Sequence, residues 1–168
     1  MNLFLCGFMG VGKTEYGKRL AKQMNLNFID TDALIEEQES LTIPEIFEQK
    51  GESFFRQKEH ELLKDLEVEE TVISTGGGMP AYANNMDLIN SKGLSVLLSI
   101  DRDKLLKRIQ KDASIRPLIK GMKPNELRRF VSDEMRNRAL YYNQCEIVIN
   151  PQYIAPKVLK EVITERYL

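Results

Sequence analysis

Residues 7–14 read Gly-Phe-Met-Gly-Val-Gly-Lys-Thr, which satisfies the pattern G-x-x-x-x-G-K-[ST]. No other stretch restricts the fold so strongly, because the pattern works only between a strand and a helix. The glycines let the backbone turn tightly and bring its N–H groups against phosphate oxygens. Lys13 adds a mobile positive charge, and Thr14 adds a hydroxyl suited to a hard divalent cation such as Mg²⁺. Both flanks agree with the pattern. Asn2–Cys6 is an apolar, strand-like run, and Lys13–Met24 is helix-like, with Leu20, Ala21 and Met24 on one face. The helix N-terminus would then point at the bound anion. Gly10, Val11, Gly12, Lys13, Thr14 and Glu15 form the stretch expected to line a nucleotide's phosphates.

Beyond this point strand-like and helix-like segments alternate, the pattern of an α/β fold with a parallel sheet. Asn27–Ile29 reads as a second strand ending in Asp30-Thr31-Asp32, followed by a helix over Ala33–Glu39. Pro44 suits the first position of a further helix, and Gly51 interrupts before a helical pattern over Glu52–Leu66. Thr71–Ser74 is a third strand and Pro80–Ser91 is expected to be helical. Leu94–Ile100 is the most apolar strand, and Asp101 caps a helix that runs to Lys111. Residues 112–124 carry two prolines, Gly121 and several cations with little core signal, the mark of a mobile surface loop. Leu127, Phe130, Val131, Met135 and Leu140 mark a long helix, Ile147–Ile149 a fifth strand, and Pro156–Tyr167 a closing helix. The expectation is a single domain over residues 1–168: a three-layer α/β/α sandwich with a five-stranded parallel sheet and right-handed crossovers.

Ligands of such sheets bind beyond the carboxyl ends of the strands. That rule selects the phosphate loop, Asp30-Thr31-Asp32 and Gly76-Gly77-Gly78, all directly after strands. Asp30 and Asp32 are two apart, so in extended chain their carboxylates point the same way. One could serve a cation and the other accept a proton from an attacking hydroxyl; the bland alternative is a helix N-cap. Arg56 and Glu59 are three apart on one helix, so Glu59 could orient Arg56 for a bidentate grip on a carboxylate, or the two could be a surface ion pair. Gly76-Gly77-Gly78 permits close approach of backbone to a ligand. Arg116, in the mobile segment, could reach a phosphoryl group in transfer from a closing lid. Arg108, Arg136 and Arg138 are further candidate cations. His60, the only histidine, falls on a charged helix, reads as solvated surface and receives no role.

The balance of 24 basic against 25 acidic residues gives no global case for nucleic-acid or membrane binding. No apolar run approaches 18 residues and no secretory leader is visible, so a cytoplasmic location is expected. Cys6 and Cys145 lie in or beside apolar strands and read as buried free thiols.

The ordered set of motifs closely resembles the shikimate kinase family, within the nucleoside-monophosphate-kinase-like group. The resemblance covers essentially the whole chain. It rests on Gly7–Thr14, Asp30-Thr31-Asp32, Gly51-Glu52 with Phe55-Arg56 and Glu59, Gly76-Gly77-Gly78, Arg116-Pro117-Leu118, and the late Arg138 with Tyr142. It implies an ATP- and Mg²⁺-dependent phosphorylation of the shikimate 3-hydroxyl, by a protein expected to act as a monomer. It implies that Asp32 binds ring hydroxyls and acts as base, and that Arg56 and Arg138 bind the carboxylate with Glu59 supporting Arg56. Gly77, within the triple glycine, would give a backbone contact. Thr14 and Asp30 would hold Mg²⁺, Arg116 would reach the ATP phosphates from a lid over about 112–124, and Arg108 would stack on adenine. Helices over about 31–66 would bind the acceptor. The family's R-x-P-x-Y is here Arg138-Ala139-Leu140-Tyr141-Tyr142, without proline, and Arg136 remains an alternative to Arg138; the last adenine contact near Gln152 and Tyr153 is open. Two other readings stay available: a kinase of this fold with another acceptor, or a nucleotide-binding module without catalysis.

Overall fold

A computed structural model describes residues 1–168, the side chain of Ile115 excepted. Five parallel strands, β1 (Leu3–Cys6), β2 (Asn27–Asp30), β3 (Thr71–Ser74), β4 (Leu94–Leu98) and β5 (Ile147–Ile149), form one sheet in the order β2-β3-β1-β4-β5. Helices cover both faces, so β1, β3 and β4 are buried along their whole length and read as unbroken apolar or small-polar runs instead of alternating ones. The register sets Leu5 beside Ser74 and Asp30 beside Ser74. The loops after β1, β2 and β3 therefore open at one edge of the sheet, and the site lies there.

The connections are α1 (Lys13–Met24), α2 (Thr31–Glu39), α3 (Ile43–Lys50), α4 (Glu52–Asp65), α5 (Asn85–Lys92), α6 (Arg102–Lys111), α7 (Pro124–Tyr142) and α8 (Pro156–Tyr167). One core joins Leu3, Leu5, Val96 and Leu98 to α1, α6, α7 and α8; another joins Phe4, Cys6, Ile73 and Leu97 to Leu63, Met86, Ile89 and Tyr142. A third, smaller cluster of Ile35, Ile46 and Phe55 knits α2, α3 and α4 together away from the sheet. It gives these helices a support of their own, on which the side chains of α4 are carried to the site edge.

Several sequence expectations change here. Pro80–Ser91 is not one helix: a 3₁₀ turn at Met79–Ala81 is followed by extended Tyr82 and left-handed Ala83 (φ 47°), and α5 starts only at Asn85. Strand β4 ends at Leu98, not Ile100. Asp32 is not extended chain; it lies in the first turn of α2, and Asp30 is that helix's N-cap, accepting from the Asp32 N–H at 3.1 Å. Pro44 takes the second helical position of α3, behind a Thr42–Glu45 capping box. Residues 112–124 are not bare loop either. They form two short 3₁₀ turns, Ala113–Ile115 and Pro117–Ile119, and Ile119 is fully buried in the main core. Both thiols are free and buried. No helix among the described residues is long and apolar enough to cross a membrane.

Candidate active site

Two cavities open side by side at the carboxyl edge of the sheet. One, of about 340 Å³, is lined by the phosphate loop (Gly10, Gly12, Lys13, Thr14), Glu15, Asp30, Thr75 and Arg116. The other, of about 100 Å³, is lined by Arg56, Glu59, Gly76–Gly78 and Arg138, with Phe47, Phe55 and Leu118 as apolar walls. Met9, Asp32, Gly77 and Arg116 line both, so these four stand at the junction.

On the phosphate-loop side, Gly12 takes φ 100° as the N-cap of α1, a conformation open at no steric cost only to glycine. Lys13 is buried and folds back on its own loop, donating to the Gly7 carbonyl at 2.7 Å and the Phe8 carbonyl at 3.1 Å. Burial pulls its ammonium down to about 8, against the pull of nearby Asp32 in the other direction. Thr14 donates its hydroxyl to Asp30 Oδ2 at 2.6 Å, which sets two hard oxygen donors together beside the loop. No cluster of three or more His, Cys, Asp or Glu with metal-binding geometry exists among the described residues. A hydroxyl and one carboxylate with open positions fit Mg²⁺, which keeps most of its waters and takes phosphate oxygens. The Val11 side chain is buried in the core, so only its backbone is available, and its carbonyl accepts from Arg108 Nη1 at 3.1 Å. Arg108 thereby lies across the loop.

On the other side, α4 presents Arg56 and Glu59 inward. Their ion pair is not a surface one: Arg56 Nη1 meets Glu59 Oε2 at 2.6 Å, with the Glu59 side chain fully buried and that of Arg56 only 12% exposed. Arg56 also meets Glu52 at 3.3 Å. Arg138 is buried too, paired with Glu134 one turn earlier on α7, and its guanidinium stacks 5.0 Å above the ring of Phe8 in the phosphate loop. Arg136 pairs with Asp133 in the open, its side chain 80% exposed, and lines neither cavity. Between the two expected alternatives, the geometry brings Arg138 and not Arg136 to the site.

The triple glycine is the floor. A Cβ on Gly76 would lie 2.3 Å from Glu59 Oε1 and 2.8 Å from Asp32 Oδ1, so both carboxylates occupy space that any other residue would fill. Those same two oxygens, with Arg116 Nε and Arg138 Nη1, are the buried side-chain atoms without a protein partner among the described residues. All four belong to residues lining the acceptor-side cavity, two of them at the junction. Burial, then repulsion from Asp30, raises Asp32 to about 6, and burial raises Glu59 to about 7 against the attraction of Arg56. A carboxylate in that range exchanges a proton near neutral pH.

Some contributors escaped the sequence reading. Glu134 was legible in principle, as an i,i+4 carboxylate to Arg138 on one helix. Phe47 had no signal, since only the tertiary fold brings it to the cavity; Phe8 and Leu118 lie inside quoted motifs, but nothing in the sequence marked Phe8 as the support of Arg138 or Leu118 as a wall. His60 is half-buried instead of solvated: Nδ1 lies 2.6 Å from Oδ1 of buried Asn85, whose Nδ2 donates to the Met79 carbonyl at 2.8 Å, just after the glycines.

A phosphate loop on a 2-3-1-4-5 parallel sheet, facing a second cavity built around arginines and carboxylates, defines a phosphate-loop kinase. Comparison with known proteins narrows the class. The family model described as shikimate kinase matches residues 9–166. The shikimate kinase of Azobacteroides pseudotrichonymphae is 40% identical over 163 residues, 96% of this chain and 94% of that protein. The crystal structure of shikimate kinase from Bacteroides thetaiotaomicron superposes with a TM-score of 0.84 at 33% identity, covering 100% of this chain and 99% of the other. Shikimate kinase from Acinetobacter baumannii, solved in complex with shikimate, gives a TM-score of 0.86 at 30% identity over 99% and 95%. The chain belongs to the shikimate kinase family.

Proposed function

We propose that this protein transfers the γ-phosphoryl group of ATP to the 3-hydroxyl of shikimate, releasing ADP and shikimate 3-phosphate. The observation that carries the reading is the pairing of cavities: a phosphate loop on one side, two buried arginines on the other, and Asp32 at the junction. Arg56 and Arg138 take the acceptor's carboxylate, with Glu59 fixing Arg56 and the Gly77 backbone touching the ring substituents. That grip leaves the hydroxyl beside Asp32, in line with the nucleotide's terminal phosphate. Asp32 orients the hydroxyl and takes its proton as the new O–P bond forms and the bond to ADP breaks.

Lys13 and Arg116 neutralise charge on the transferring group. Lys13 is available once its ammonium leaves the Gly7 and Phe8 carbonyls for phosphate oxygens. Among the described residues Arg116 is held by Asp112 alone, at 3.5 Å, and its segment closes over the phosphates as a lid. Arg108 and residues near Gln152 flank the adenine; Tyr16 steadies that loop by donating to the Ile154 carbonyl at 3.0 Å. Thr14 and Asp30 are the residues that would hold Mg²⁺, which when bound supplies charge neutralisation across the β- and γ-phosphates. Buried free thiols fit a reducing cytoplasm. The test is a coupled ADP-release assay with ATP and Mg²⁺. Release that depends on shikimate supports the reading; equal release with shikimate present and absent, or release only with a nucleoside monophosphate as acceptor, overturns it.

A further inference from the structure

The turn Gly76–Met79 is closed by the Met79 N–H donating to the Gly76 carbonyl at 3.1 Å. Three further hydrogen bonds hold it from helices outside the turn. Thr31 of α2 accepts from the Gly76 N–H at 3.0 Å, and Asn85 of α5 holds the Met79 carbonyl. The third hold is the shortest: Tyr142, at the end of α7, donates its hydroxyl to the Gly77 carbonyl at 2.6 Å. The ring is buried in the core beside Phe4, Cys6 and Cys145, so it has a single orientation.

We propose that Tyr142 is a positioning residue for acceptor binding: its hydroxyl fixes the Gly77–Gly78 peptide so that the turn's free amides serve the arginine-lined cavity. The peptide is trans, so pinning the Gly77 carbonyl sends the Gly78 N–H the opposite way. Neither the Gly77 nor the Gly78 N–H has a partner among the described residues, and both glycines line the cavity. A turn with two adjacent free amides and no side chains is a recognised anion and hydroxyl receptor, provided it is held still. Burial raises the phenol to about 12, so the hydroxyl keeps its proton and remains a donor wherever the chain is folded.

The same helix carries the partner of this device. Glu134, Arg138 and Tyr142 are spaced by four, one face of α7, so the arginine that meets the ligand and the hydroxyl that fixes the receptor turn are mounted on one rigid rod. A displacement of α7 would move both together. The proposal rests on the shikimate reading for its ligand but not for its geometry, and the experiment separates the two.

Tyr142→Phe removes one oxygen and keeps the ring. Ile89→Val, in the same core but with no side-chain hydrogen bond to the turn, serves as the packing control. In the ligand-free protein, hydrogen exchange at the Met79 amide should quicken about 10-fold in Tyr142→Phe and stay near wild type in the control. In the ADP-release assay the KM for shikimate should rise about 10-fold, with the KM for ATP within about twofold of wild type. Unchanged Met79 exchange overturns the proposal whatever the substrate is. So does a KM for both ligands that stays put while the melting temperature falls, which would make Tyr142 a core residue only. Faster exchange in a protein that does not phosphorylate shikimate would uphold the clamp and sink the substrate reading instead.

Discussion

Glu59 offers the sharpest quantitative test. Its carboxylate is fully buried, one oxygen on Arg56 and the other without a partner. Burial raises it to about 7 from an ordinary 4.5, Arg56 offsetting part of that rise. A raised acid favours the folded state while protonated, so its contribution is complete below about 4.5 and is lost as pH climbs through 7. Two to three pK units at 1.36 kcal/mol each make that loss about 3 kcal/mol. A chain of this size moves its melting temperature by about 2–4 °C per kcal/mol, so wild type should lose about 6–12 °C between pH 5 and 8.5 from this group alone. Glu59→Gln keeps an oxygen for Arg56 but cannot titrate. The melting temperature of each protein, followed by calorimetry across that range, should therefore diverge, with the variant flatter by that amount. Asp32, raised to about 6, adds the same trend in both proteins, and because its charge also raises Glu59 the difference between them includes the coupling of the two carboxylates. Parallel curves would mean that Arg56 keeps Glu59 ionised throughout, and the burial argument would be wrong.

Three further outcomes are expected. Lys13→Met should abolish turnover with the melting temperature nearly unchanged; activity within about 10-fold of wild type, about 1.4 kcal/mol of barrier, would disprove the phosphate-loop role. Arg56→Lys should weaken shikimate binding in calorimetry and spare ATP, since an ammonium cannot reproduce the guanidinium fork; equal loss of both ligands contradicts it. Arg116→Ala should lower kcat by roughly 10²–10³-fold with a smaller effect on ATP binding, and a fluorophore at Ser114→Cys should report closure on adding ATP and shikimate. The native thiols are buried, so that label is selective; a silent label together with a near-normal kcat removes the lid from the mechanism.

What was legible in the sequence follows from how local each signal is. The phosphate loop, the Asp101 cap and the ends of α1 and α8 are set by residues within one turn of each other, and they stand where the pattern puts them. The break at Tyr82–Ala83 was not legible, because the helical spacing of Met86 and Ile89 extends backwards without a glycine to stop it; left-handed Ala83 comes from the tertiary hold on Met79 and Asn85. Ile119 looked like loop because Leu118, Ile119 and Met122, set among cations, Gly121 and two prolines, show no period, yet it is buried in the main core. His60 looked solvated because its neighbours are charged, and its partner Asn85 lies 25 residues away. Asp30 and Asp32 illustrate a false choice: Asp30 is the helix cap and also a site residue, since the α2 N-terminus ends at the cavity. The candidate residues that line the cavities could be singled out more readily than their supports. The type of a catalytic side chain is dictated by chemistry, whereas Phe8 beneath Arg138 or Tyr142 on Gly77 is dictated by shape.

The charge arrangement around the acceptor cavity has its own logic. Two arginines, 12% and 6% exposed, would be very unfavourable there alone, since a buried guanidinium without a partner loses its water and gains nothing. Glu52, Glu59 and Glu134 make their burial tolerable. The charged side chains that line the cavity itself are Arg56, Arg116 and Arg138 against Asp32 and Glu59, a surplus of one positive charge when both carboxylates are ionised. That surplus grows when Glu59 takes a proton, because Arg56 then faces the cavity with Glu52, at 3.3 Å and half in solvent, as its charged partner. A carboxylate entering the cavity would supply the negative charge that a protonated Glu59 gives up, and Arg138 would meet it with the Nη1 that Glu134 leaves free. Glu59 would then act as more than a brace for Arg56, since its protonation adds to the positive charge facing an incoming carboxylate.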